Sequence, residues 1–240
     1  MRTRSFVQLL ALLLAAAALL IAVGRYTDLD LLLADRMFDP ITNSFPLREH
    51  WFVADVMHHF MKALMLGIGL VPVMVLLVDL ARRRTLLRMQ DRRRWLAVTV
   101  ASMTIPAIIS ASKALSIHHC PWSLTRYGGF APYLRIFDRL PAGVTAGHCF
   151  PAGHASGGLW LAAACVFWLP HAPRKAAAMF SLLLLPGLAL GWAQQLRGAH
   201  FMTHTLWSVW IAAAVTLLLA YAMERVAPAR SAARSSAPDS

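Results

Sequence analysis

Acid is scarce in this sequence. Its 240 residues hold 11 Asp and Glu against 23 Lys and Arg, and charged residues of both signs reach only 14%. A soluble domain carries about a quarter charged residues, so that class is excluded. Cysteine is scarcer still. Three are too few for a disulfide scaffold, and no CxxC or HExxH spacing marks a zinc site. Hydrophobic residues take up 58% of the chain, and the mean hydropathy of +0.57 is that of a polytopic membrane protein. The formal charge of +12 does not make this a nucleic-acid binder, because the arginines gather at the ends of apolar runs, as the positive-inside rule expects.

Six apolar runs read as spans: Phe6–Val23, Trp51–Leu80, Trp95–Ser112, Leu159–Leu169 (which continues the fourth span inward), Ala176–Ala193 and Thr205–Met223. About 18–20 residues at 1.5 Å per residue cross a hydrocarbon core of roughly 30 Å. The first run follows Arg2 and Arg4 and reads as an uncleaved span, since Ala22-Val23-Gly24-Arg25 makes a poor signal-peptide cleavage site. Between the second and third runs lie seven arginines from Arg82 to Arg94 with one acid, Asp91. That loop carries no interleaved aromatics and sits tight between two spans, so it sets topology and places both termini in the cytoplasm. The expected fold is therefore an all-α polytopic membrane bundle of about six transmembrane helices over 1–223, its motif-bearing core at 95–223. A disordered cytoplasmic tail is expected over 224–240. Tyr26 to His50 reads as an interfacial helix on the outer side. His58, His59 and Lys62 either belong to a site or sit at the interface.

With that topology, Lys113, His154, Arg197, His200 and His204 all fall at the outer ends of spans. The stretch Cys149-Phe150-Pro151-Ala152-Gly153-His154-Ala155-Ser156-Gly157-Gly158 leads from a polar loop into an apolar run. Small residues there let backbone N–H groups approach an anion, Gly153 among them, and His154 could move a proton near neutral pH. Lys113, Arg126 and Arg197 can supply positive charge for phosphoryl oxygens, Arg in a two-pronged grip and Lys as a point charge. His200 and His204, four apart, share a helix face. A zinc pair is the weaker reading of them, for want of a third ligand at a matching spacing. Cys120 and Cys149 share the outer loop and are either bridged or two free thiols.

These residues resemble a known family. Pro151-Ala152-Gly153-His154 is similar to the central Pro-Ser-Gly-His motif of the type 2 phosphatidic acid phosphatase superfamily, which includes the vanadium haloperoxidases. Lys113 followed by Cys120-Pro121 resembles its first motif, Lys-x6-Arg-Pro. Gly198-Ala199-His200-Phe201 resembles the Gly-x-His core of its third, whose histidine is the nucleophile. The resemblance runs from Ser112 to Ser208. It implies attack by His200 on phosphorus, a phosphohistidine, protonation of the leaving group by His154, and no metal or other cofactor. The departures are Cys120 for arginine, Ala152 for serine, Gln194 for the third-motif arginine and His204 for its aspartate. Arg197 is expected to take over the phosphate contact, and His204 or a loop group to orient His200. A register with His204 as nucleophile is the alternative.

The expected activity is a lipid phosphatase of a bacterial inner membrane with its site facing the periplasm. Candidate substrates are an isoprenyl diphosphate, a lipid A phosphate or a glycerophospholipid phosphate. No nucleic acid and no obligate protein partner is expected. The rivals are a lipid phosphotransferase using the same phosphohistidine, and a membrane binding or transport protein without turnover.

Overall fold

The computed structural model describes residues 3–225. Its described residues form helices and no strands: α1 (Thr3–Tyr26), the short α2 (Leu29–Asp35), α3 (Phe52–Ala81), α4 (Met89–Ala114), α5 (Gly153–Leu159), α6 (Pro173–Leu196) and α7 (Met202–Arg225). Five of them, α1, α3, α4, α6 and α7, are long and apolar enough to cross a membrane. The chain is a helical membrane bundle. The expected tail lies outside the described residues except for Glu224 and Arg225, which close α7.

The fourth expected span takes a different form. The seven residues of α5 run directly into a nine-residue 3-10 helix, Trp160–Trp168. A 3-10 helix rises about 2.0 Å per residue, so the continuous element is about 28 Å long despite its short sequence. It runs through the middle of the bundle, with Leu159, Ala162 and Val166 fully buried. In lipid, helix association depends on close packing rather than on removal from water, and small residues permit it. Gly158 of α5 and Gly187 of α6 show this. A Cβ on Gly158 would lie 2.6 Å from the backbone nitrogen of Gly187, so the two backbones cross in contact. Ile105 and Ile109 of α4 and Ala212 of α7 complete this core.

α1 lies outermost, none of its most apolar stretch buried. Two contacts hold it to α7: Trp210 Nε1 donates to Leu13 O at 2.8 Å, and the Phe6 and Tyr221 rings stack with centroids 4.0 Å apart.

At one end of the bundle sits the arginine loop. The buried carboxylate of Asp79 accepts from Arg92 Nε at 2.7 Å and from the backbone N–H groups of Leu86 and Leu87 at 3.2 and 2.9 Å, which ties the loop to the end of α3. Arg94 NH2 donates to Leu169 O at 2.8 Å and fixes the end of the 3-10 helix. Nineteen residues of α4 separate Arg94 from Lys113, about 29 Å along the axis. The two lie at opposite ends of the bundle.

At the Lys113 end, the segment after α1 is more than an interfacial cover. Its acids clamp the long loop 115–152, Asp28 pairing with Arg135 and Asp35 with Arg126, and Arg25 at the end of α1 adds a pair with Asp138 of the loop. Beneath them Ala34, Phe45, Leu124, Tyr127, Ala131 and Phe201 form a second small core.

Candidate active site

The last turn of α6 shows why the local sequence matters. After Leu196 the chain must reverse, and Gly198 does so with φ of 70°. Gly198 N–H donates to Gln195 O and Ala199 N–H to Gln194 O, both at 2.9 Å, the paired bonds of a Schellman helix end. Glycine is required twice here, because a Cβ would also run into the Phe45 ring. The reversal sends His200, two residues on, into the interior with 5% exposure.

Burial pushes the His200 imidazole down to about 3, with the charges of Lys113 and His154 acting in the same direction and a backbone contact with Cys149 against it. It is therefore neutral at ordinary pH, the form in which a ring nitrogen holds a free lone pair. Its Nδ1 lies 3.5 Å from Cys149 Sγ.

Lys113 closes α4 and extends over Gly153, where a Cβ would lie 3.7 Å from Lys113 Cδ and 3.8 Å from its Nζ. His154 begins α5. The preceding residue but one, Ala152, is tied to α7: its N–H donates to His204 O at 3.0 Å, and Ser208 Oγ donates to Ala152 O at 3.0 Å. These bonds fix the central motif against the third. Against His154 lies His58 of α3, the two rings stacked with centroids 3.9 Å apart and planes 28° apart. Arg197 Nε donates to Arg48 O at 2.9 Å, and its NH1 donates to Gln194 Oε1 at 3.2 Å.

Cys120 and Cys149 form a disulfide, with Cα atoms 5.3 Å apart, which decides between the two readings of the sequence. Cys149, His200 and His204 also come close enough to hold a metal ion. They do not fit one as they stand. A zinc ligand must be a thiolate, and a bridged sulfur cannot be one.

A family model for the PAP2 superfamily matches residues 94–227. That is more than half of the chain. The chain belongs to the PAP2 superfamily. No curated protein and no solved structure matches it. Membership brings phosphatase-type chemistry on a phosphorylated substrate.

Within the PAP2 match, each departure has a physical counterpart in the fold. Cys120, where the first motif has arginine, is bonded to Cys149 at the edge of the central motif, so the two motifs are joined covalently. Gln194, where the third motif has arginine, is 2% exposed and holds the guanidinium of Arg197. His204 is buried beside His200 with ring centroids 5.8 Å apart. Its Nδ1 has no partner, and no hydrogen bond between the two imidazoles is present among the described residues.

Arg126 makes a contact that the sequence reading did not include. Its Nε and NH2 donate to the two carboxylate oxygens of Asp35 at 2.9 and 2.7 Å, and Tyr127 Oη donates to Asp35 at 2.9 Å. That fork is closed on a carboxylate in this structure. A two-pronged cation suits an Asp as well as a phosphate, and spacing does not distinguish them.

One buried carboxylate near the site was not singled out from sequence. Asp30 is 6% exposed and accepts from Thr203 N–H at 3.0 Å and from Thr203 Oγ1, capping α7 one residue before His204. Burial raises its pKa against the pull of those bonds. A cavity of about 20 Å³ is lined by Asp30, His118, Tyr133, Thr203 and His204, room for one water. The signal was a lone acid inside Leu29-Asp30-Leu31-Leu32-Leu33.

Proposed function

We propose that this chain is a membrane lipid phosphatase that works through a phosphohistidine on His200. The observation that carries this reading is the buried, neutral His200 beside Lys113 and His154, at the position of the third-motif histidine. Lys113 and Arg197 hold the phosphoryl oxygens. His200 Nε2 attacks phosphorus, the bond from phosphorus to the leaving oxygen breaks, and His154 gives that oxygen its proton. A water then attacks phosphorus, its proton returns to His154, the P–N bond breaks and phosphate leaves.

A lipid fits the surroundings. A groove of about 540 Å³ between α1, α4 and α7 is lined by Ile21, Ile108, Phe137, Phe150, Trp207 and Trp210. It reaches Ser112, next to Lys113, and Pro151, two residues from Gly153. An acyl or isoprenyl chain in that groove would leave its phosphate at the cations. The arginine-rich end belongs in the cytoplasm by the positive-inside rule, so the site faces the periplasm of a bacterial inner membrane.

The test is phosphate release from a panel of lipid phosphates and diphosphates by the purified full chain, with capture of labelled enzyme from phosphate-labelled substrate. Wild type should release phosphate and carry label. His200→Ala should do neither. Release by His200→Ala at the wild-type rate, with loss confined to His204→Ala, would move the nucleophile to His204.

A further inference from the structure

The first turns of α3 are not α-helical. Phe52–Phe60 is a nine-residue π-helical stretch, its end marked by Met61 N–H donating to Val56 O, five residues back. Such turns are rare, occur mostly as single bulges, and gather at functional sites. Each holds an extra residue, so the side chains along it point in different directions from those on an α-helix. The result here is that His58 comes face to face with His154.

Stacking accounts for the ring faces but leaves their edges open. His58 Nδ1 and His154 Nε2 are both buried and both without a hydrogen-bond partner among the described residues. Leaving a buried polar nitrogen unpaired costs about 1–3 kcal/mol, and here two occur on adjacent rings. The charged groups that act on His58 are Arg197, Lys113, the exposed Lys62 one turn along α3, and His59, whose ring lies 4.5 Å away, while the acids Glu49 and Asp55 act on Arg197. No carboxylate bonds to either imidazole among the described residues. Two unpaired nitrogens among cations lack one thing, an anion with several acceptor oxygens.

We infer that His58 is a direct ligand of the phosphoryl group, bonding through Nδ1 to an oxygen that His154, Lys113 and Arg197 surround. This rests on the phosphatase reading of the same site and adds to it a residue from α3, which lies wholly outside the 94–227 match. An anion beside an imidazole favours the imidazolium, so a bound phosphoryl group itself charges the pair of rings that hold it.

The experiment measures binding of inorganic phosphate to the full chain in nanodiscs. His58→Phe keeps a flat ring on His154 and removes the nitrogen. His58→Asn keeps an N–H near the Nδ1 position and removes the ring. The Phe variant should bind phosphate at least tenfold more weakly while melting at the wild-type temperature, and the Asn variant should recover part of the loss. Wild-type phosphate affinity in His58→Phe would overturn the inference and leave His58 a packing residue. Should the Phe chain not fold, wild-type protein decides. On phosphate addition the His58 ring nitrogen resonance, assigned by its absence in the Asn variant, should move, and an unmoved resonance overturns the inference. A chain that binds phosphate through His58 but turns over no lipid phosphate sinks the phosphatase reading and leaves this one standing.

Discussion

Two clusters of positive charge occupy opposite ends of the bundle, and they differ in what their nitrogens touch. At the arginine end Arg92 bonds to Asp79, Arg84 O and Leu87 O, and Arg94 to Asp91 and Leu169 O. One nitrogen there, Arg94 Nε, is buried without a partner. At the other end His58 Nδ1, His154 Nε2, Gln194 Nε2 and His204 Nδ1 are all buried and unpaired. The first cluster has its buried nitrogens paired within the chain save Arg94 Nε, and it serves the fold. The second leaves four buried nitrogens unpaired, as the proposed phosphoryl site would require. Cation-rich sequence marks both ends alike, and satisfaction of the buried atoms tells them apart.

The largest effect that could break this contrast is at His154. His154→Ala should lower turnover by roughly 10²–10⁴-fold, the range for a positioned general acid. The loss should shrink on diphosphate lipids, whose leaving group needs less protonation. Its melting temperature should stay near wild type, because the substitution removes an unpaired atom rather than a bond. A large drop in stability with little change in rate would place His154 with the fold.

Next comes the disulfide. Closing a loop with a sequence separation of 29 contributes on the order of 3–4 kcal/mol in the chain-entropy model. Cys120→Ser should show that loss in denaturant unfolding. Wild-type unfolding in Cys120→Ser would mean that the bridge fixes only the site.

The spans were legible because a membrane permits few backbone solutions, and apolar runs bounded by arginine report them directly. The fourth is the exception. Its sequence is short for a span, and only a 3-10 stretch, which no periodicity announces, gives it the length. That Lys113, Gly153, His154, Arg197, His200 and His204 gather at one end of the bundle was legible from the ends of the same runs and from their motifs. His58 was not resolved, because a π-helical turn changes which face a residue takes. Asp30 falls in the segment read only as an interfacial helix. Its contact with Thr203 spans 173 residues, and no local pattern reports it. The Asp35 partner of Arg126 was hidden for the same reason, since it lies 91 residues away.

A smaller effect sharpens the contrast from the arginine end. Asp79→Ala removes the acceptor of Arg92 Nε and of two loop N–H groups. The melting temperature should fall, while phosphate release per folded molecule stays at wild type. Loss of release at matched folding would couple the two ends and end the comparison.

The smallest effect separates two arginines on the site side. Arg126 is 53% exposed and its fork is closed on Asp35, itself 34% exposed. An exposed ion pair is worth about 0–1 kcal/mol, and the loop it holds has further ties through Arg135 and Asp138. Arg126→Ala should therefore change stability by less than about 1 kcal/mol and leave KM and kcat within a few-fold of wild type. Arg197 is held instead by neutral oxygens, Arg48 O and Gln194 Oε1, which orient a guanidinium without cancelling its charge. Arg197→Lys should raise KM and lower kcat together, because a point charge cannot reproduce a two-pronged grip. Steady-state kinetics on both variants check this in one assay. Equal losses in the two would return Arg126 to the phosphate and make its bond with Asp35 the resting state of a ligand that swings inward.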